Sequence, residues 1–370
     1  MNWFIVVFFC ISIIIFVITK YYRLKNVMSI EKIEEFEIAV NLSQQQKLLK
    51  HHGITIHYLS IEEARALIIK IKSGEYIKGM NQANLSARKC LNKDDLYNKY
   101  LDGFDSITKT DKDTIDTFIN ELLDNIKNKT DTTDTTDTTD ILSKYSQSYY
   151  NYVVKWLKTI SIAKAKPWLE AGMPHTLDKT IVMDADWFVK PRKTTFLHEI
   201  AHVHQRESLM DFEDLYSALG YIYNPVNIRG LEEIYPLNRN NPDGTSKYWL
   251  WHNKSNNQNQ NYWWIGAIFK NVNPTSLTDV NLVALELDYS NDDKIYYYLK
   301  QNQSQLSTLQ PFINFFGENP NNYHPNEMTA KFAEWYLNET LGINDTNTYN
   351  YEGYIIYKKY FENMIKKYYT

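Results

Sequence analysis

The sequence His198-Glu199-Ile200-Ala201-His202 constrains the fold more than any other stretch of this chain. It lies in residues 194–206, where apolar side chains recur at helical spacing. Residues four apart on an α-helix share one face, so His198 and His202 can present two imidazoles to a single metal ion. The pattern therefore predicts a packed helix that carries a Zn²⁺ site.

Glu199 gives this predicted site a chemical function. Zinc held by two imidazoles and one further protein ligand keeps a coordination position for water, and a nearby carboxylate can accept the proton of that water as it attacks a carbonyl group. A purely structural zinc site needs no such carboxylate and fills its fourth position with protein. We therefore predict His198 and His202 as metal ligands and Glu199 as the general base of a peptide hydrolase.

At these three residues the chain resembles the zincin metallopeptidases, whose His-Glu-x-x-His signature is intact here. The metzincin branch continues the motif with a Gly and a third His, where this chain has Gln205 and Ser208. Peptide deformylases add a Cys-bearing ligand segment, but Cys90 stands alone far upstream. The departures from these two families favour the gluzincin branch.

The gluzincin resemblance implies that the third zinc ligand is a Glu on a later helix, and Glu327 is the residue that fits. Pro325 suits the first turn of a helix, and Asn326-Glu327 matches the pair common before the ligand helix of that branch. Glu327 can also be read as an acidic first-turn residue favoured by the helix dipole. Glu334 is a candidate partner for a ligand imidazole. The rival third ligands are acidic residues nearer the motif that no matching pattern supports: Glu207, Asp211, Glu232 and Glu233.

The helix and strand patterns predict an α+β fold, and the resemblance implies a zincin-like domain with a small mixed sheet, the motif helix and a later ligand helix. In zincins a strand shortly before the motif helix forms a sheet edge that pairs with extended substrate, so the resemblance implies an edge strand at residues 181–184; an interior strand is the alternative. His175 is expected to be structural or to support a ligand. Residues 248–252 and 262–265 predict a long-looped hairpin whose aromatic side chains fill the core or line a cleft.

The first residues predict a membrane anchor. Residues 3–18 are uncharged and apolar, and Tyr21 and Tyr22 follow where interfacial aromatics are expected. The alternative is a cleaved signal peptide, which the missing basic start and cleavage site disfavour. Lys20, Arg23 and Lys25 follow the segment, so we expect a single-pass protein with its large domain in the cytosol.

We divide the chain into four regions. They are an anchor and its flank at 1–28, a helical region at 29–128, a disordered Thr/Asp-rich linker at 129–141 and a zincin-like metallopeptidase domain at 142–370. The repeated polar tract marks the linker, because it has no apolar side chain to bury.

Composition limits the partners. The 40 basic and 44 acidic residues nearly balance, so we expect a peptide or protein substrate and no nucleic acid. Two cysteines cannot form a disulfide framework. The abundance of Asn, Lys, Ile and Tyr indicates an AT-rich genome, such as that of a large DNA virus or a parasite. The alternative to a peptidase is a non-catalytic zinc-binding structural or interaction protein on the same fold, for example in a virion membrane.

Overall fold

The structure is a computed structural model, and it confirms an α+β protein. It describes residues 48–49, 52–71, 75–131, 141–223, 228–244, 249–253, 261–318, 323–342 and 349–369. Within these ranges the α-helices are α1 (Ile61–Ile71), α2 (Glu75–Lys78), α3 (Gln82–Ala87), α4 (Lys93–Leu101), α5 (Lys109–Asp131), α6 (Ile141–Leu157), α7 (Ala185–Val189), α8 (Lys193–Glu207), α9 (Leu209–Ala218), α10 (Gln310–Phe316), α11 (Pro325–Leu341) and α12 (Glu352–Tyr368). The strands are β1 (Leu48–Leu49), β2 (Ile54–Thr55), β3 (His57–Tyr58), β4 (Phe104–Asp105), β5 (Ser161–Ala165), β6 (His175–Leu177), β7 (Thr180–Asp184), β8 (Tyr221–Tyr223), β9 (Ile228–Arg229), β10 (Trp249–His252), β11 (Tyr262–Phe269), β12 (Val280–Ser290) and β13 (Ile295–Gln305).

The smaller mixed sheet lies beside the motif helix and has the strand order β3-β5-β7-β6, with β4 also paired to β5. Strands β3, β5 and β7 are parallel, whereas β6 runs antiparallel to β7. Val182 packs into one hydrophobic cluster and Ile181 and Met183 into another, so β7 is buried on both faces. The expectation of an edge strand at residues 181–184 is therefore wrong, and the interior alternative holds. The edge strand next to β7 is β6, because residues 175–177 pair antiparallel with β7 on its outer side.

The larger sheet has the order β8-β10-β11-β12-β13-β9. Strands β10 and β11 form the predicted antiparallel aromatic hairpin, with Trp251 opposite Trp263. Both indoles are buried in the main hydrophobic cluster, which includes side chains from α5, α6, α8 and α11. Trp251 and Trp263 therefore fill the core, whereas Trp249 and Trp264 of the same hairpin also line a cavity.

Residues on both sides of the Thr/Asp-rich tract belong to one compact unit, Leu48–Thr370. Strand β3 pairs with β5, and Ile119 of α5 and Val153 of α6 share the main cluster. Helix α5 ends at Asp131 and α6 begins at Ile141, and residues 132–140 lie outside the described part. The predicted boundary between regions 29–128 and 142–370 thus falls inside a unit with a common core.

The predicted anchor at residues 3–18 also lies outside the described residues. Among the helices that the structure does describe, none combines the length and the apolar character needed to cross a bilayer.

A buried ion pair fixes the turn that leads into β6. Arg88 donates from Nε to Glu170 Oε1 at 2.7 Å and from a terminal nitrogen to Oε2 at 2.8 Å, and both side chains are buried. Glu170 and Ala171 have φ values of 46° and 57°, a left-handed conformation that non-glycine residues rarely adopt. The bidentate pair holds this strained turn, and the turn positions Met173, which lines the metal-side cavity described below.

We predict that Arg88→Met lowers the free energy of unfolding by about 3–5 kcal/mol, because it leaves the Glu170 carboxylate buried without its cation. The double variant Arg88→Met/Glu170→Met should lose less, since no charge is then stranded. Urea denaturation of both variants measures the difference, and equal losses would contradict the pairing.

The same pair predicts a pH dependence. Burial raises the pKa of Glu170, but Arg88 outweighs this effect and lowers the pKa to about 2. The stabilisation is therefore complete above the ordinary carboxyl pKa and is lost as the pH falls towards 2. The double variant should show a shallower loss of stability over this acidic range.

Candidate metal centre

Helix α8 carries the motif and is held in the core by its apolar face. Phe196, Ile200 and Val203 are fully buried, as the helical spacing predicts. His198 and His202 project together from the opposite side, with ring centroids 4.7 Å apart. The core contacts of the helix therefore fix the direction of both imidazoles.

Helix α11 supplies the third residue. His324 caps its N-terminus by accepting a hydrogen bond on Nδ1 from the Asn326 N–H at 3.1 Å, and Pro325 occupies the first turn. Glu327 follows in that turn and is 5% exposed. Cap and proline together begin the helix at the register that turns Glu327 towards α8.

The three predicted ligands converge. His198 Nε2 and His202 Nε2 lie 3.0 Å apart, and Glu327 carboxylate oxygens lie 3.3 Å from the first nitrogen and 3.7 Å from the second. Tetrahedral zinc with bonds of about 2.0–2.1 Å places its ligand atoms roughly 3.3 Å apart. One donor atom from each residue lies within 4.8 Å of the others, so this group could hold a metal ion.

The other nitrogen of each imidazole faces an acceptor. His198 Nδ1 lies 2.9 Å from Glu334 Oε1, and His202 Nδ1 lies 2.8 Å from Gln205 Oε1. These acceptors favour the tautomer with hydrogen on Nδ1, which leaves both Nε2 lone pairs directed at the centre with Glu327. Three electron-pair donors around one buried point require a proton or a metal cation between them.

The pKa values show how the side chains share a proton when no metal neutralises them. Burial lowers the pKa of His198, but hydrogen bonds with Glu327 and Glu334 outweigh burial and raise it well above its ordinary value. Burial, with a contribution from His198, lowers the pKa of His202 to about 4. Burial raises the pKa of Glu327, but His202 and His198 outweigh it and lower the pKa to about 2. A metal ion would therefore replace a proton on His198.

Glu199 lies against the edge strand β6. Thr176 donates from Oγ1 to Glu199 Oε2 at 2.8 Å, and its backbone N–H donates to Asp243 Oδ1 at 2.6 Å. Burial and the Asp243 carboxylate raise the pKa of Glu199 well above its ordinary value. Burial and Glu327 raise the pKa of Asp243 to about 6, against the effect of Arg206. Glu199 is thus a buried carboxylate held by a hydroxyl, with raised proton affinity.

A cavity of about 440 Å³, here called the metal-side cavity, opens beside these residues and is lined by His198, Glu199 and Glu327. Residues 238–244, here called the wall segment, line both this cavity and a second cavity of about 410 Å³. Asn241 of this segment donates to Glu327 Oε1 at 2.5 Å and to the Tyr323 hydroxyl at 2.6 Å. The wall segment therefore supports a predicted ligand as well as bounding the cavity.

The rival third ligands lie elsewhere. Glu207 pairs with Lys179 at 2.7 Å, and Asp211 lies 3.5 Å from His204 Nε2. Glu232 and Glu233 are exposed. None of the four joins the group formed by the three predicted ligands.

Two other residues of the site match expectation, and two were not predicted. Glu334 contacts His198 as expected, and His175 is buried with Nδ1 3.0 Å from the Met173 carbonyl oxygen. Gln205 was missed, although its position three residues after His202 could have indicated a contact. Asp243 lies in an Asn-Pro-Asp-Gly turn, and no local signal relates that turn to the motif helix.

Comparisons of the chain with protein families, with curated proteins and with solved structures found no match.

We predict one zinc ion per chain and a lower zinc affinity in Glu327→Gln, because an amide oxygen replaces the charged ligand atom. Glu232→Gln is the matched control. Because Glu232 is exposed, this variant should bind zinc as tightly as the wild type does. Elemental analysis and competition with a chelator measure both. Unchanged affinity in Glu327→Gln would remove this residue from the ligand set.

Proposed function

We propose that the chain is a zinc-dependent peptidase related to the gluzincins. The observation that carries the proposal is the convergence of His198, His202 and Glu327 on one buried point, with Glu199 beside them on the cavity wall. This arrangement combines a ligand set that suits zinc with a carboxylate that is not part of the set. The metal-side cavity provides space for a substrate next to the ligand set and Glu199.

The chain's own residues suit general-base hydrolysis. A bound zinc ion would supply Lewis acidity and a lowered water pKa. Glu199 would accept the proton of the attacking water and pass it to the leaving amine. Thr176 orients the Glu199 carboxylate. Tyr323, which accepts from Asn241, keeps its own hydroxyl proton to donate within the cavity.

The position of the sheet also supports the proposal. Strand β6 is antiparallel, lies at the edge of the mixed sheet and contacts the motif helix through Thr176. Zincins have an edge strand shortly before the motif helix, and the motif helix, the later helix with Glu327 and the small mixed sheet of this chain support a similar arrangement. We therefore propose a zincin-like arrangement for this domain.

A non-catalytic zinc-binding structural protein is the second candidate, and one contact favours it. The outward N–H of Thr176, which would pair with an extended substrate, already donates to Asp243. A cleft blocked in this way would suit an interaction protein. Substrate must therefore displace this bond or bind farther along the cavity if the chain is an enzyme.

Changing Glu199 alone separates these candidates. We predict that Glu199→Gln retains zinc, because both imidazoles and Glu327 remain, and that its peptide hydrolysis falls by about 10²–10⁴ through loss of the base. The measurement is cleavage of a mixed peptide library by zinc-loaded wild type and variant. A wild type that holds zinc and cleaves no peptide would instead support the structural role.

We also propose a single-pass membrane protein anchored by residues 3–18, with the large domain in the cytosol, and the membrane of a virion as a second location. The basis is the uncharged apolar run and the basic residues that follow it. The full-length chain should stay with membranes after alkaline carbonate extraction and keep its N-terminus. A mature protein that begins near Ser29 would show a cleaved signal peptide.

A further inference from the structure

The metal-side cavity contains one basic side chain that the proposed chemistry does not use. Among the described residues that line it, Arg239 is the only arginine or lysine. The cavity is otherwise rich in carboxylates, which are Glu170, Glu199, Asp243, Glu327 and Glu334. An arginine in such a place would ordinarily be expected to pair with one of them.

Arg239 forms no such pair. Within the part of the chain that the structure describes, no carboxylate oxygen lies at ion-pair distance from its guanidinium group. Its side-chain contact is from a terminal nitrogen to Met173 Sδ at 3.6 Å, and its Nε is buried without a hydrogen-bond partner. A guanidinium group that is partly withdrawn from water and unpaired is costly, so a bound anion would be favourable there.

The neighbouring carboxylates are already engaged. Glu170 pairs with Arg88, and Glu334 accepts from Lys331 at 2.8 Å and lies beside His198. Asp243 accepts the Thr176 N–H. Because these carboxylates already have other partners, the guanidinium group of Arg239 is available to a bound ligand.

The backbone around Arg239 is held from two sides. Its N–H donates to the Ala267 carbonyl oxygen at 2.9 Å, which joins the wall segment to β11. Asn84 donates to the Asn238 carbonyl oxygen at 2.7 Å and accepts from the Asn240 N–H at 2.8 Å. Because both neighbours are fixed, the backbone at Arg239 is held in place and would lose little conformational entropy on binding.

We propose that Arg239 binds a carboxylate of the substrate, so that the site selects acidic peptides. This inference rests on the proposed peptidase function and specifies its substrate class. The carboxylate can come from an Asp or Glu side chain or from the C-terminus of a peptide, because the planar guanidinium fork pairs with either. Arg239 is a specificity residue in this account and takes no part in proton transfer.

The test measures binding separately from turnover. Zinc-loaded full-length Glu199→Gln is titrated calorimetrically with three peptides: acetyl-Ala-Ala-Glu-Ala-Ala-amide, acetyl-Ala-Ala-Gln-Ala-Ala-amide and acetyl-Ala-Ala-Gln-Ala-Ala with a free C-terminus. At least one carboxylate peptide should bind about 10- to 100-fold more tightly than the neutral amide. Preference for the first shows side-chain recognition, and preference for the third shows terminal recognition.

Adding Arg239→Gln to this protein should abolish the preference, whereas adding Arg229→Gln, which removes an exposed arginine of β9, should retain it. If Arg239→Gln fails to fold, Arg239→Lys keeps the charge without the fork and should show a reduced preference. Equal binding of all three peptides, binding of none, or a full preference in Arg239→Gln would overturn the inference.

The outcomes also separate this inference from the proposed function. Wild type that cleaves peptides without regard to charge would leave the peptidase standing and remove the role of Arg239. If the wild type cleaves no peptide but binding still selects acidic peptides through Arg239, the role of Arg239 stands and the proposed peptidase activity is removed.

Discussion

The packing of α8 against α11 is the constraint on which the site depends. Each helix brings only part of the ligand set, and Gln205 joins the two by donating to the Asn326 carbonyl oxygen at 2.9 Å while its amide oxygen faces His202 Nδ1. Glu334 makes the reciprocal contact from α11 to His198. A small change in helix register would therefore misplace the ligands and remove the acceptors that set their tautomers.

The edge strand and the wall segment form the chemical surroundings of the candidate metal centre. Thr176 hydrogen-bonds both Glu199 and Asp243, so one residue of β6 sets the position of two carboxyl groups. The wall segment contacts the predicted ligand Glu327 through Asn241 and carries Arg239 two residues earlier. The same short loop thus links ligand support with the side chain that we assign to substrate selection.

Much of the site was predictable because its signals are local. Helical spacing placed His198 and His202 on one face. The gluzincin resemblance, supported by the proline and first-turn pattern, pointed to Glu327 without any knowledge of the distance between the helices. The α+β class followed from the same reading. These signals lie within one or two helical turns and do not depend on tertiary contacts.

The parts that sequence reasoning missed depend on contacts between distant segments. Only strand pairing shows that β6, and not β7, is the edge. The polar tract at 129–141 suggested a domain boundary, yet strands and helices from both sides share a core, since a tract's composition does not reveal which elements pack together. Asp243 contacts Thr176 although the two are 67 residues apart in sequence, and no sequence periodicity predicts that contact.

X-ray absorption at the zinc edge of the purified chain tests the central claim most directly, because it reports the metal's own ligands. The structure predicts two imidazole nitrogens and carboxylate or water oxygens at about 2.0–2.1 Å, with no sulfur. A chain that carries no zinc after loading, or a ligand shell without two imidazoles, would contradict the account.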